Sequence, residues 1–285
     1  MTKIPVRTLK SSFQRARITG SFSIRSIQQM LKGADMKQHL HRHDYYHMMV
    51  IERGEGVHEI DFNSHKITNR TIFFIRPGQV HQLQLKADST GYMLQFGAEF
   101  TSGREKAAGK LLRSASNKSY YQLDAASFSK LSNLLGETLQ EYTDKNSRYE
   151  DVIRANLDVL LISLLRMQNN PTTTSENSLQ QEQLDKFLEL LEANITEVKQ
   201  VSAYAGMMNL SPYQLNSITR QMLGKNSSEV LNDYVILESK RYLLATDSQI
   251  KEIAWQLGYE DPSYFVRFFK KHTGYSPADF RNSFR

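Results

Sequence analysis

The first hundred residues carry apolar side chains in short alternating runs, the pattern of β-strands that bury one face. Residues 81–85 place His and Leu on one side and Gln on the other, and Ile60 and Phe62 flank a polar position in the same way. Residues 71–75 form a continuous β-branched and aromatic run. Short strands separated by turns at this spacing predict a sandwich or a barrel over residues 20–100.

The apolar pattern changes to helical spacing in residues 127–168. One stripe consists of Phe128, Leu131, Leu134, Leu135, Leu139 and Tyr142, and a second of Ile153, Leu157, Leu160, Leu161, Leu164 and Leu165. This spacing predicts two amphipathic helices. Such helices either pack against the preceding β-structure or form a dimer interface, and the pattern leaves both interpretations open.

A polar segment divides the chain. Residues 169–178 hold no apolar side chain apart from the ring of Pro171, so they cannot bury enough surface to offset the entropy of ordering. We expect a linker over 169–180, a β-rich domain with two helices over 1–168 and an all-α domain over 181–285, which together make an α+β chain. The all-α domain opens with an apolar stripe at Leu184, Phe187, Leu188, Leu191 and Ile195.

Composition narrows the classes of function. The 285 residues leave room for two cores, and the absence of Cys excludes disulfides, thiol nucleophiles and Cys-ligated metals. No apolar run approaches the 18 residues of a membrane span, so we expect no membrane contact and a cytoplasmic location. The net charge is +6, yet residues 180–285 hold 12 Lys and Arg against 13 Asp and Glu. Any contact of this half with nucleic acid must therefore rest on local charge.

Two segments of the C-terminal half repeat. Residues 201–224 resemble residues 250–274 at an offset of 49, which becomes 50 after a turn. In each copy a small Ala lets the two helices cross closely, and an Asn or Gly can adopt the left-handed conformation of the turn. A Ser or Asp caps the second helix, a Pro is the first residue of that helix, and a Gly ends it. Each copy therefore predicts a helix-turn-helix unit. The matching positions are Ala205 and Ala254, Asn209 and Gly258, Ser211 and Asp261, Pro212 and Pro262, and Gly224 and Gly274.

The second copy resembles the signature of the AraC/XylS family of bacterial transcription regulators. The resemblance covers about residues 184–285, and residues 250–281 carry its specific part, which includes Leu257-Gly258-Tyr259 and Gly274-Tyr275-Ser276-Pro277. It implies two helix-turn-helix units joined by a long helix at about residues 227–244. It also implies that the second helix of each unit enters a major groove of double-stranded DNA.

Helical spacing indicates which residues of the two recognition helices face DNA. Phe265, Phe268 and Phe269 face inward in the second helix, and Leu215 and Ile218 do so in the first. We expect guanine contacts from Arg267, phosphate contacts from Lys270 and a bidentate adenine contact from Asn216. The family usually carries a basic residue at Ser217 and an aromatic one at Thr219, so the second unit is the stronger base reader. The predicted DNA-facing residues are Tyr213, Asn216, Ser217, Arg220, Ser263, Val266, Arg267 and Lys270.

Seven of the eight histidines lie between residues 39 and 81. The spacings His41-x-His43-x3-His47 and Pro77-Gly78-x2-His81 resemble the two motifs of cupin barrels. In cupin enzymes the first motif supplies two His and one carboxylate to a metal, and the second motif supplies one His. In this chain His47 occupies the position of the carboxylate. We expect His41, His43, His47 and His81 to line an effector pocket, with a four-histidine metal site as the alternative.

These features favour a homodimeric transcription regulator that binds double-stranded DNA and responds to a small molecule in the N-terminal barrel. We expect no catalytic residues and no cofactor. The alternative is a metal-dependent cupin oxygenase or isomerase with a helical appendage.

Overall fold

The computed structural model describes residues 6–7, 22–98, 100, 106–168 and 175–284. The chain divides into two compact units, which separate between residues 169 and 170. Within the described residues, no helix is both long and apolar enough to cross a membrane.

Two five-stranded sheets form most of the described N-terminal unit. One has the strand order β1-β3-β8-β5-β6 and the other β10-β7-β4-β9-β2, and every neighbouring pair is antiparallel except β1 with β3. This arrangement confirms the β-rich fold expected from the alternating runs. The strands are β1 (Val6–Arg7), β2 (Phe22–Ser26), β3 (Met36–His43), β4 (Tyr46–Arg53), β5 (Gly56–Ile60), β6 (Asn63–Ile67), β7 (Thr71–Ile75), β8 (Val80–Leu85), β9 (Thr90–Phe96) and β10 (Tyr120–Gln122).

Each face of the second sheet has its own core. The inner face packs against the first sheet, and this cluster contains Met49, Phe73 and Met93 from one sheet with Leu83 and Leu85 from the other. The outer face is covered by helices, which bury both apolar stripes predicted in residues 127–168. Those stripes therefore pack inside the unit. The helices are α1 (Ile27–Leu31), α2 (Lys106–Ser116), α3 (Ala125–Asp144) and α4 (Tyr149–Gln168).

The alternating run at Ile60 and Phe62 does not continue as a strand. Asp61 and Phe62 have φ values of 46° and 69° and form the turn between β5 and β6. The Asp61 carboxylate accepts hydrogen bonds from the Gln79 side chain at 2.6 Å and the Val80 backbone N–H at 3.2 Å. These long-range contacts explain why the chain turns where local alternation predicts a strand.

The described C-terminal unit is helical. Its first helix begins at Ser175, so residues 175–180 of the linker expected over 169–180 are helical, and residues 169–174 lie outside the described residues. Extending a helix that is anchored by buried Phe187 and Leu191 costs less free energy than nucleating a new helix. This explains how the polar segment becomes helical. The helices are α5 (Ser175–Asn194), α6 (Val201–Met207), α7 (Pro212–Leu223), α8 (Ser227–Ala245), α9 (Ile250–Gln256), α10 (Pro262–Thr273) and α11 (Pro277–Phe284).

Candidate functional site

The two repeats fold as helix-turn-helix units, α6 with α7 and α9 with α10. Ala205 and Ala254 are fully buried where the paired helices cross. Asn209 and Gly258 occupy the left-handed region, with φ values of 54° and 77°. The turns therefore have the geometry that the repeated residues predicted.

Local hydrogen bonds hold the start of each recognition helix. The Ser211 hydroxyl accepts from the Gln214 backbone N–H at 3.2 Å, while the Gln214 side chain accepts from the Ser211 N–H at 2.8 Å. Asp261 caps α10 by accepting from the Ser263 N–H at 2.8 Å. Both helices begin with Pro and end at a glycine of positive φ. Because these bonds span two or three residues, the position at which each recognition helix begins is a local property.

The second recognition helix, α10, presents its predicted polar face to solvent. Phe265 and Phe269 are fully buried, and Phe268 is half-buried. Arg267 has a 70% exposed side chain, and its Nη2 lies 3.7 Å from Asp261 Oδ2. An exposed ion pair of this length is weak, so DNA can displace it. The predicted residues Ser263, Arg267 and Lys270 are exposed, and Val266 is half-buried.

The first recognition helix, α7, uses one predicted base reader internally. Leu215 and Ile218 are buried as expected. Asn216 is half-buried, and its Oδ1 accepts a hydrogen bond from the Ser227 N–H at 3.0 Å, at the start of α8. A bidentate adenine contact needs that same oxygen. Tyr213, Ser217 and Arg220 remain exposed, and Tyr213 is 83% exposed.

A cleft of about 570 Å³ opens beside α7. It brings Tyr213, Asn216 and Arg220 together with the first residues of α8, and the sequence did not predict the α8 residues. Helix N-termini and arginine both favour anions, so the cleft suits a DNA phosphate. The lining residues are Val201, Pro212, Tyr213, Asn216, Arg220, Asn226, Ser227 and Ser228.

The N-terminal unit brings three of its four predicted histidines together between the sheets. One ring nitrogen from each of His41, His43 and His81 lies within 4.8 Å of the others. His81 Nε2 is 2.8 Å from His43 Nε2, and His81 Nδ1 is 2.9 Å from His58 Nε2. His58 was not among the predicted pocket residues, although its position two residues before buried Ile60 places it on the inner face of β5.

His47 does not join this group. Its ring stacks on that of His43 at 5.0 Å between centroids, and its Nδ1 lies 3.4 Å from Gln95 Nε2. Gln95 is buried and also contacts Tyr45 and Arg25. Three imidazoles converge as a metal site requires, but the fourth predicted ligand faces an amide.

The clustered histidines are neutral at physiological pH. Burial lowers the pKa of His41 to about 4 and that of His58 to about 3. Burial and neighbouring positive charge hold the pKa values of His43, His47 and His81 well below the usual range. A neutral imidazole has one donor and one acceptor nitrogen, so His58, His81 and His43 form a directional hydrogen-bonded chain. His41 Nε2, His43 Nδ1 and His58 Nδ1 are buried without a partner among the described residues.

Two protein families match the chain, and together they cover most of it. Residues 24–153 match the model described as an AraC-like ligand binding domain, and residues 204–283 match a helix-turn-helix domain. The HTH-type transcriptional activator RhaS of Escherichia coli (strain K12) is 22% identical over 267 residues, which are 92% of this chain and 93% of RhaS.

The solved structures that match the chain cover either most of it or about a third of it. ToxT of Vibrio cholerae with a bound unsaturated fatty acid is 18% identical to this chain. The match covers 92% of this chain and 95% of the ToxT chain, with a TM-score of 0.44. The C-terminal domain of the response regulator yesN of Fusobacterium nucleatum is 27% identical, covers 33% of this chain and 93% of its own, and has a TM-score of 0.32.

Proposed function

The chain belongs to the AraC family of transcriptional regulators, and from that premise we propose how it reads DNA and what controls it. It is a DNA-binding transcription regulator and not an enzyme, so the alternative of a cupin oxygenase or isomerase is wrong. A regulator acts where the chromosome is, which favours a cytoplasmic location. The name of RhaS favours activation over repression.

The pair of capped recognition helices carries the DNA-binding proposal. α7 and α10 enter successive major grooves on one side of a duplex, about 10 bp apart. Arg267 contacts guanine and Lys270 a phosphate, since both are exposed on α10. Arg220 and the start of α8 hold a phosphate in the cleft. The second unit then supplies most of the sequence preference, and the first positions the protein.

Selection from random duplexes tests this reading with the full-length chain. We expect enriched sequences with two conserved half-sites whose centres lie about 10 bp apart. Binding should weaken steeply with salt, because phosphate contacts release counterions. A failure to enrich any sequence, even at low salt, would contradict the assignment.

A different face of α4 from the predicted stripe supports a homodimer. Val152, Val159 and Ile162 are 39%, 50% and 39% exposed, and Ala155 is exposed between them. Their spacing of three, four and three residues is that of a coiled-coil seam. The acidic residues of the first turn, Glu150 and Asp151, pair with Arg154 and Arg148 within the chain, so the apolar seam rather than end charges carries this proposal. We propose that this face joins two copies of the chain.

Replacing Val159 with Glu tests the dimer. Light scattering after size exclusion should show wild-type dimers and Val159→Glu monomers, since a charge at the seam cannot be buried unpaired. Asn133→Glu, on an exposed polar position of α3, is the matched control and should remain dimeric. A wild-type monomer, or a dimer that survives Val159→Glu, would remove α4 as the interface.

The space between the two sheets is the proposed effector site. His41, His43 and His81 converge there, and three buried ring nitrogens of the cluster lack partners among the described residues. Because His43 and His81 hydrogen-bond each other and His47 faces Gln95, the site suits an organic ligand better than a four-histidine metal. Elemental analysis of the purified chain should therefore find less than one metal per chain. One tightly held ion, lost in a His41→Ala and His43→Ala double variant, would contradict this.

A further inference from the structure

Arg25 lies at the end of the inner face that carries the polar side chains, without a carboxylate partner among the described residues. Arg25 is half-buried on β2 and donates from Nη2 to Gln95 Oε1 at 3.0 Å. Its Nε is buried and has no hydrogen-bond partner among the described residues. A partly desolvated guanidinium with an unused donor is costly unless an anion or acceptor meets it.

Other unpartnered groups lie at the same end. Ser23 pairs with Gln95 across β2 and β9, and its hydroxyl is fully buried without a partner among the described residues. Gln95 links Arg25 to His47, and the His47 ring stacks on His43, whose Nδ1 is also unpartnered. Three polar groups, two on β2 and one on β3 of the other sheet, thus have unused hydrogen-bonding capacity.

The charge of this end has one sign. The strand positions that share the inner face hold His, Arg25 and Gln95 here and apolar residues beyond, with no Asp or Glu among the described residues. Arg25 donates to Gln95, and the positive charge of a second guanidinium, that of Arg7, also acts on His41, His43 and His47. A site with donors, positive guanidinium charge and no carboxylate among the described positions of this face is matched to an anion rather than to a cation.

We propose that the effector carries a carboxylate or phosphate group, which Arg25 binds with help from Ser23 and His43. This inference rests on the proposed role of the N-terminal unit as a sensor and adds the chemical class of the ligand. The oxyanion would accept from Arg25 Nε and from the Ser23 hydroxyl, while His43 Nδ1–H supplies a third donor. Neutral histidines complete the site because they add donors without adding charge that would have to be neutralised.

Thermal unfolding of the full-length chain in chloride buffer tests the proposal. The probes are sodium succinate and inorganic phosphate, with uncharged succinamide as the isostere of the first. We expect one oxyanion to raise the midpoint by about 2–4 °C at roughly five times its dissociation constant, and succinamide to leave it unchanged. The two salts also separate a carboxylate ligand from a phosphate ligand.

Variants separate specific binding from the general stabilisation that such salts give any protein. Arg25→Gln should lose the rise in unfolding midpoint that exceeds this general stabilisation. Arg25→Lys, which keeps the charge but not the Nε donor, should retain only part of that rise. Arg53→Gln removes an exposed arginine from β4 and should respond like wild type. If neither oxyanion protects wild type beyond Arg25→Gln, or if succinamide protects equally, the proposal is wrong.

DNA binding by the same preparations keeps the two claims apart. A wild-type chain that binds its selected DNA but shows no Arg25-dependent shift would remove the anion site and leave the regulator intact. A chain that shows the shift but enriches no DNA would keep the anion site and overturn the proposed mode of DNA recognition.

Discussion

The two helix-turn-helix units share one backbone plan but join their recognition helix to the next helix differently. In the first unit the junction is polar, because Asn216 and buried Thr219 hydrogen-bond to Ser227. The equivalent positions of the second unit, 50 residues later, hold Val266, Phe269 and Pro277. There Phe269 is fully buried and packs edge-on against Phe280 at 5.6 Å.

This difference shows how a duplicated motif can divide its work. The polar junction engages Asn216 Oδ1, the oxygen that a bidentate adenine contact also needs. The aromatic junction of the second unit buries Phe269 and leaves Arg267 and Lys270 exposed. Similar turns and caps therefore position helices whose surfaces differ.

The largest expected effect concerns the two turns. A Cβ at Gly258 would overlap the Thr196 carbonyl oxygen, and φ there is +77°. We expect Gly258→Ala to lower the free energy of unfolding by at least about 3 kcal/mol, because backbone cannot rotate away as a side chain can. Urea unfolding followed by fluorescence of Trp255, the single tryptophan, measures this.

Gly274→Ala is the matched control for that substitution. Its φ is +80° and nothing lies within 4 Å of the added Cβ, so it should cost only about 1 kcal/mol. Asn209, at the equivalent turn of the first unit, already carries a side chain. Equal losses from Gly258→Ala and Gly274→Ala would show that contact with Thr196 does not distinguish the second unit.

The second prediction compares equivalent positions on the DNA-facing surfaces. Arg267→Ala should cost about 1–3 kcal/mol on the selected sequence and less on random DNA. Ser217→Ala, 50 residues earlier, should change affinity by less than about 0.5 kcal/mol, as expected for a surface change. Lys270→Ala should weaken all sequences alike and reduce the salt slope by about 1.

The decisive quantity is the ratio of specific to random-sequence affinity across a salt series. If Arg267→Ala leaves that ratio unchanged, Arg267 is at most a phosphate contact. A larger change from Ser217→Ala than from Arg267→Ala would reverse the assignment of the two units.

The smallest expected effect tests the role of Asn216. Asn216→Ala should lower the free energy of unfolding by about 1–2 kcal/mol, because the Ser227 N–H loses its acceptor. Asn216→Asp keeps an acceptor beside a helix N-terminus and should retain stability. Its sequence preference should also persist, whereas a residue that reads adenine through both amide atoms would lose it. A stable Asn216→Asp variant with relaxed base preference would restore Asn216 as a base reader.

Residues that act over short distances along the chain were predictable from sequence. The caps at Ser211 and Asp261 involve partners two or three residues away, and the left-handed turns at Asn209 and Gly258 follow from residue type. The buried stripe of α3 followed from its period alone. The prediction from alternation failed at residues 60–62, where hydrogen bonds to distant residues determine the structure. Asp61 lies in a turn because its carboxylate accepts hydrogen bonds from Gln79 and Val80.

The sequence by itself determined the two helix-turn-helix units, their caps, the β-rich N-terminal unit and the inward faces of α3, α4, α5, α7 and α10, because periodicity and capping are local interactions. Only the tertiary structure decided what each polar side chain meets. It determined that Asn216 hydrogen-bonds to Ser227, that His58 hydrogen-bonds to His81, and that Gln95 lies between Arg25 and His47. Periodicity assigns a residue to a face, but a hydrogen bond depends on which residues of other elements that face opposes, and packing of the whole unit sets those positions.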